Sequence, residues 1–181
     1  MDFGHVPLRT LDSIDFSLPR DPLLNSDVLT GRRVANPKVY IGCPRWGVKE
    51  WTGRLFPKGT KDAYFLDEYV KHFNCIELNA TFYNLFVASV IRKWAERAGT
   101  HHFLFLPKLF KGISHERALH DKTALTYAFE QSVAAFSEHL GPAFLQLSDR
   151  FAPQRLNELT AYLQVFPAAL PLFVEVRHPG W

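Results

Sequence analysis

Residues 76–86 read IELNATFYNLF, and their alternation decides how the chain is built. Ile76, Leu78 and Phe82 are apolar, yet Glu77, Asn79 and Thr81 stand between them. In an extended chain, residues two apart point to the same side. Glu77 and Asn79 therefore share a face with Cys75, while Ile76 and Leu78 line the other. A carboxylate on the face of a core strand needs a partner or a ligand, because an unpaired buried charge is expensive.

The rest of the chain repeats this rhythm. VYIGC (39–43), CIEL (75–78), HFLFL (102–106), AFLQL (143–147) and LFVEV (172–176) read as short strands. Between them, TKDAYFLDEYVKHF (60–73), VASVIRKWAERAG (87–99), TALTYAFEQSVAAFSEHLG (123–141) and PQRLNELTAYLQVF (153–166) have helical periodicity. Pro107 is expected to end the third strand, and the stretch after it, KLFKGISHERALHDK, reads as a loop. Strict alternation of strand and helix predicts an α/β fold with about five parallel strands and four helices. Two architectures compete, a doubly wound open sheet and a (β/α) barrel. No GxGxxG or phosphate-binding loop follows the first strand, which weakens the nucleotide-binding open sheet.

The same parity applies to every strand. Phe173, Glu175 and Arg177 share a face opposite Leu172, Val174 and Val176; Gln146 and Ser148 lie opposite Leu145 and Leu147; Lys108 follows Leu104 and Leu106. Polar groups thus gather near the C-terminal ends of four strands, on the side away from the helices. In a barrel that side is the interior, and its C-terminal rim is where barrel enzymes place their sites. An internal salt-bridge network, with Arg177 or Lys108 neutralising the two glutamates, accounts for the same pattern.

Composition narrows the class. At 181 residues, 47% hydrophobic and 22% charged, the chain suits one soluble globular domain with a large aromatic core of 16 Phe and 4 Trp. A net charge of +3 without like-charge runs gives no clear nucleic-acid signal. No stretch reaches the about 18 apolar residues of a membrane span. The start, MDFGHVPLRT, lacks the apolar run of a leader, so a cytoplasmic protein is expected. Cys43 and Cys75 fit no zinc or redox spacing and read as buried free thiols. Residues 1–37, rich in Pro, Asp, Ser and Asn, read as an extended N-terminal arm with a short helix around 21–30.

Five blocks, YIGCPRWGVKEWTGRLFP (40–57), FNCIELNATFY (73–83), FLFLPKLFKGISH (103–115), FLQLSDRF (144–151) and VEVRHPGW (174–181), resemble in order and spacing the domain of unknown function 72 family, also called YecE-like. The N-terminal IDFSLPRD (14–21) also resembles the arm of one branch of that family. The resemblance implies a TIM-barrel fold and carries no established activity. Its motif positions fall on Trp46, Glu77, Asn79, Thr81, Tyr83, Lys108, His115, Gln146, Glu175, Arg177, His178 and Trp181. Family members run well beyond the RHPGW block, through further strands that close the barrel. The resemblance therefore implies a truncated chain, with residues 38–181 an incomplete TIM barrel and open sheet edges through which it can self-associate.

Chemistry assigns provisional roles. Glu77 and Glu175 suit a general acid/base pair or oxygen ligands for a divalent metal, with salt bridges as the structural alternative. Lys108 and Arg177 suit an anion, or pairing with those glutamates. His115 and His178, on loops after strands, are placed to titrate or bind metal. Trp46, Tyr83 and Trp181 offer pocket walls; Trp51 and Trp94 read as core. Asn79 is expected to orient Glu77, Gln146 to bind substrate, and Thr81 to be structural. The expected function is an enzyme, an isomerase, lyase or hydrolase, acting on a small anionic or polyhydroxylated ligand such as a sugar phosphate. The alternative is a non-catalytic binding protein whose interior charges hold the fold.

Overall fold

The computed structural model describes residues 7–15, 17, 18, 20–32, 34–116, 118, 119 and 122–181; the opening residues 1–6, where no leader is expected, lie outside them. Two compact units are present, Met1–Lys38 and Val39–Trp181. The first contains a 3-10 turn at Leu8–Ser13 and a single-turn helix α1 at Leu24–Val28 that buries none of its residues.

The second unit runs β1 (Gly42–Cys43), α2 (Phe65–Tyr69), β2 (Cys75–Leu78), α3 (Ala80–Tyr83), α4 (Ala88–Ala98), β3 (Leu104–Pro107), α5 (Lys111–Ser114), α6 (Thr123–Val133), β4 (Ala143–Gln146), α7 (Leu156–Val165) and β5 (Leu172–Glu175). All strand pairings are parallel, in sheets ordered β1-β2-β3 and β4-β5. Single bridges at Phe105–Leu140 and Lys108–Phe144 link β3 to the chain around β4. The result is an α/β fold whose strands, among the described residues, form no closed barrel. Among the described residues, no helix is long and apolar enough to cross a membrane.

The odd/even reading of β2 and β4 holds. Ile76, Leu78, Leu145 and Leu147 are all at most 2% exposed, packed among helix residues such as Ile91, Phe129, Val133 and Phe136. Aromatic rings fill this layer: Phe105 stacks on Phe136 at 4.3 Å, and Trp94 stands edge-on to Trp46 and Phe86 at 5.6 and 4.9 Å. Trp51 and Trp94 both pack against the core, as expected. On β5 the pattern is unfinished. Leu172 packs against the core, whereas Phe173 and Val174 are 59% and 37% exposed, as is Val176 just beyond the strand at 41%.

Several boundaries differ from the expectation for physical reasons. The first strand was expected over 39–43 but contains only Gly42 and Cys43, because the Asn74 side chain takes its backbone partners. Asn74 Nδ2 donates to the Val39 carbonyl at 2.8 Å, and its Oδ1 accepts from Ile41 N–H at 2.6 Å. The helix expected over 60–73 breaks into a 3-10 turn at Asp62–Tyr64 and the short α2. The third strand retains Pro107, which pairs in register with Leu78 at the strand's end. The helix expected over 123–141 stops at Val133 and tightens into a 3-10 turn containing Ser137 at φ 51°. Two short helices, α3 and α5, occupy segments read as strand continuation and loop. Helix α4 does end at the expected glycine, Gly99, whose φ of 55° suits a residue without Cβ.

Strand β1 is anchored by Tyr69. Its hydroxyl accepts from Cys43 N–H at 2.6 Å and faces the Cys75 and Cys43 carbonyls at 3.1 and 3.3 Å. Burial pushes the Tyr69 hydroxyl well above its ordinary range, so it stays a neutral donor. Gly42 makes the close approach of β1 to β2 feasible, since a Cβ there would lie 2.0 Å from the Cys75 carbonyl oxygen. Gly42→Ala is expected to cost about 2 kcal/mol or more, read as a lower urea midpoint with unchanged slope. A wild-type midpoint would show that this strand pairing contributes nothing to stability.

Candidate functional site

The polar face of the strands converges on a chain of hydrogen bonds. Lys108, the residue after β3, donates from Nζ to Gln146 Oε1 at 2.7 Å. Gln146 Nε2 donates to Glu175 Oε2 at 2.6 Å, and Arg177 Nε donates to Glu175 Oε1 at 2.6 Å. Three successive strand ends, β3, β4 and β5, are thus joined through side chains that parity alone placed on one side. Lys108 and Gln146 are buried at 8% and 7% exposure, whereas Glu175 and Arg177 are half-buried.

Lys108 is the unusual member. Its Nζ lies 4.7 Å from the centre of the Phe82 ring and 5.4 Å from that of Phe144. Among the described residues it has no carboxylate within ion-pair distance; its polar partner is a neutral carboxamide. Burial lowers its proton affinity, and the nearby Arg177 charge adds to this, while Glu77 and Glu175 act in the opposite direction. An ammonium has three N–H donors, and Gln146 engages one of them.

The two glutamates differ. Burial raises the Glu175 pKa, but bonds from Gln146 and Arg177 and the charges of Arg177 and Lys108 outweigh it, holding the carboxyl below its ordinary 4.5. Both its oxygens are occupied. Glu77 is exposed and, among the described residues, its side chain accepts a bond from Asn79 Nδ2 at 3.0 Å. Asn79 also reaches the Pro44 carbonyl at 3.4 Å. Thr81, as expected of a structural residue, is buried and donates within reach of both the Leu78 and Lys108 carbonyls, at 2.9 and 2.8 Å.

Trp46, Asn79 and Tyr83 line a cleft of about 550 Å³ with Pro44, Arg45 and Ala80. Lys108, Gln146 and Glu175 are not in that lining, which includes Ile76 and Leu78 from the face of β2 opposite Glu77; Asn79, in the lining, also bonds Glu77. His115 bonds the Ser114 hydroxyl at 2.8 Å and stands edge-on to Phe82 at 4.9 Å. Partial shielding from water, with Lys108 and Arg177 nearby, lowers its pKa below 6.5 and favours a neutral ring. His178 and Trp181 bond elsewhere than in that hydrogen-bond chain. His178 Nδ1 accepts from Gly180 N–H at 2.9 Å within its own turn, and Trp181 Nε1 donates to the Phe151 carbonyl at 2.7 Å. Among the described residues no three His, Cys, Asp or Glu side chains group to hold a metal ion.

Two contributors were missed by sequence reasoning. Phe144 stands two residues before Gln146, so strand parity already placed it beside Lys108. Phe82 reaches Lys108 from α3, a helix that the apolar-polar alternation disguised.

Residues 40–181 match the family model described as "Protein of unknown function DUF72". The chain belongs to the DUF72 family. It is 36% identical to UPF0759 protein YecE of Escherichia coli (strain K12) over 141 residues, covering 78% of this chain and 49% of YecE. Against UPF0759 protein YunF of Bacillus subtilis (strain 168) it is 27% identical, covering 79% of this chain and 52% of YunF. Two solved DUF72 structures share the fold: one from Enterococcus faecalis V583 at TM-score 0.64 and 22% identity, covering 78% of this chain and 52% of that one. The other, from Thermotoga maritima MSB8, gives 0.59 and 18%, covering 75% and 55% respectively. This DUF72 chain spans about half the length of the curated relatives it matches.

The Glu175 arrangement has a pH consequence. A carboxyl whose folded pKa is depressed stabilises the fold above its unfolded value and loses that contribution as pH falls through the folded one. Glu175→Gln is expected to cost about 1 kcal/mol at neutral pH, a hydrogen-bonded ion pair discounted for a side chain 42% exposed. It should also flatten the fall in stability below pH 4.5. Urea titrations from about pH 3 to neutrality measure both effects; an unchanged acid limb would contradict the assignment.

Proposed function

We propose that the strands described here are the first five of a (β/α) barrel, with residues 38–181 its incomplete domain and residues 1–37 an arm. In this reading the whole protein is a small-molecule enzyme. Its pocket, at the C-terminal rim of the strands, takes an anionic or polyhydroxylated substrate of the sugar-phosphate kind. Support for the barrel comes from five parallel strands with polar groups gathered at their C-terminal ends. A cytoplasmic setting belongs to the same reading and draws on the two free thiols. Self-association would use the uncovered β5 edge.

One observation carries the functional part: a buried lysine whose polar contact is a neutral amide, leaving donors for an incoming anion. Around it the roles divide. Glu175, held ionised by Arg177 and Gln146, fixes the geometry of the floor. Glu77, exposed and steered by Asn79, is the group suited to proton transfer, which fits isomerase, lyase or hydrolase chemistry. A divalent ion shared by the two glutamates is disfavoured because both Glu175 oxygens already accept hydrogen bonds.

The second reading, a non-catalytic binding protein with a structural charge network, is favoured by the continuity of the Lys108–Gln146–Glu175–Arg177 chain. Thermal melts with inorganic phosphate, ribose 5-phosphate, glucose 6-phosphate and sorbitol separate the two. The enzyme reading expects at least one compound to raise the Tm by about 3 °C. Lys108→Met should lose that response while keeping a cooperative melt. If no compound shifts the Tm and Lys108→Met costs about 3 kcal/mol, the network is structural.

A further inference from the structure

We propose that Lys108 is a carbonyl-capturing amine. Its Nζ, set against the Phe82 and Phe144 rings and bonded to the Gln146 carboxamide, condenses with an aldehyde or ketone whose anionic group is held by Arg177. This deepens the pocket reading above and rests on it.

A lysine that merely neutralises a glutamate would sit on a carboxylate. Lys108 instead bonds the one neutral member of the network, with the carboxylate of Glu175 on the far side of Gln146. The two aromatic faces and 8% exposure strip water from the amine, and Arg177 adds a like charge nearby. Desolvation and a neighbouring cation both favour the unprotonated, nucleophilic form of a lysine amine, against the opposing charges of Glu77 and Glu175. Arg177 uses Nε on Glu175, and its two terminal nitrogens have no partner among the described residues. They present the paired donors that a carboxylate or phosphate takes up. Glu77 lies close enough to influence Lys108 electrostatically and is open to solvent, as a proton carrier must be.

The step balances without an oxidant or reductant. The free amine's lone pair attacks the carbonyl carbon, and the displaced π pair takes a proton on oxygen. The resulting carbinolamine loses that oxygen as water, both of the amine's N–H protons leaving with it, and a C=N bond remains. Glu77 moves the protons from nitrogen to oxygen. An imine at this position withdraws electrons from the adjacent carbon, which is the activation that isomerisation or carbon–carbon cleavage of an anionic carbonyl compound requires.

The test is reductive trapping on the intact chain. Dihydroxyacetone phosphate, or acetone as the uncharged comparison, is added near pH 7, the Tm is recorded, and sodium borohydride then fixes any imine as a secondary amine. Peptide mapping by mass spectrometry compares Lys108 with Lys49, whose side chain is 77% exposed. The expected result is an adduct on Lys108 at least about tenfold above that on Lys49. Dihydroxyacetone phosphate should be favoured over acetone, and Arg177→Gln should remove that preference. Lys108→Met should leave the Lys49 level unchanged. Labelling of Lys108 no greater than of Lys49, in protein with a cooperative melt, overturns the proposal. If dihydroxyacetone phosphate then still raises the Tm, the capture chemistry fails and the pocket reading stands; if it does not, both fall for this ligand class. An adduct that forms equally with acetone overturns the role of Arg177 and with it the anionic substrate.

Discussion

The backbone at Lys108 and Leu109 is bonded to two strands at once, and the arrangement of the polar face depends on it. Lys108 N–H donates to the Leu78 carbonyl at the end of β2, and Leu109 N–H donates to the Phe144 carbonyl in β4. The same two residues therefore close the gap between the three-stranded and two-stranded sheets. With the main chain pinned on both sides, the Lys108 side chain runs beside the Phe82 and Phe144 rings to Gln146. Moving either strand by one residue would turn Gln146 or Glu77 to the opposite face, because side chains alternate along a strand.

That constraint explains why the network can exist at all. A lysine, a glutamine, a glutamate and an arginine on the inner side of a sheet would each cost free energy if met singly. Here the carboxamide of Gln146 serves as a two-way relay, accepting from the lysine Nζ and donating to the carboxylate. Glu175 is thereby satisfied on both oxygens, and Lys108 is left with donor capacity. The asymmetry matters more than the number of charges, since a fully matched network would have nothing left for a ligand.

Much of this was legible in the amino-acid sequence because it rests on the two-residue period of strands. Glu77, Lys108, Gln146 and Glu175 were placed on one face by counting alone, and β2 and β4 repay that count with almost completely buried partners at Ile76, Leu78, Leu145 and Leu147. What escaped was the work of side chains on distant backbone. Nothing local to VYIGC indicates that Asn74 will occupy the hydrogen bonds of residues 39–41 and shorten the strand. The turn into α3 is similar: Asn79 enters the αR region at ψ −15°, and the polar residues that looked like an extended alternation become the first turn of a helix. His178 and Trp181 follow Arg177 in the chain but make other bonds, His178 to the Gly180 N–H within its own turn and Trp181 to the Phe151 carbonyl.

Thr81 gives this architecture a mechanical property. Its one hydroxyl lies within bonding range of carbonyls on β2 and on the residue that holds the buried amine, while its main chain belongs to the helix bearing Tyr83 and Phe82. Thr81 therefore ties the backbone of the amine-bearing residue to the helix that carries Tyr83, a wall residue of the neighbouring cleft. A single oxygen atom thus holds the backbone beneath the amine and the helix that walls the cleft in one hydrogen-bonded unit.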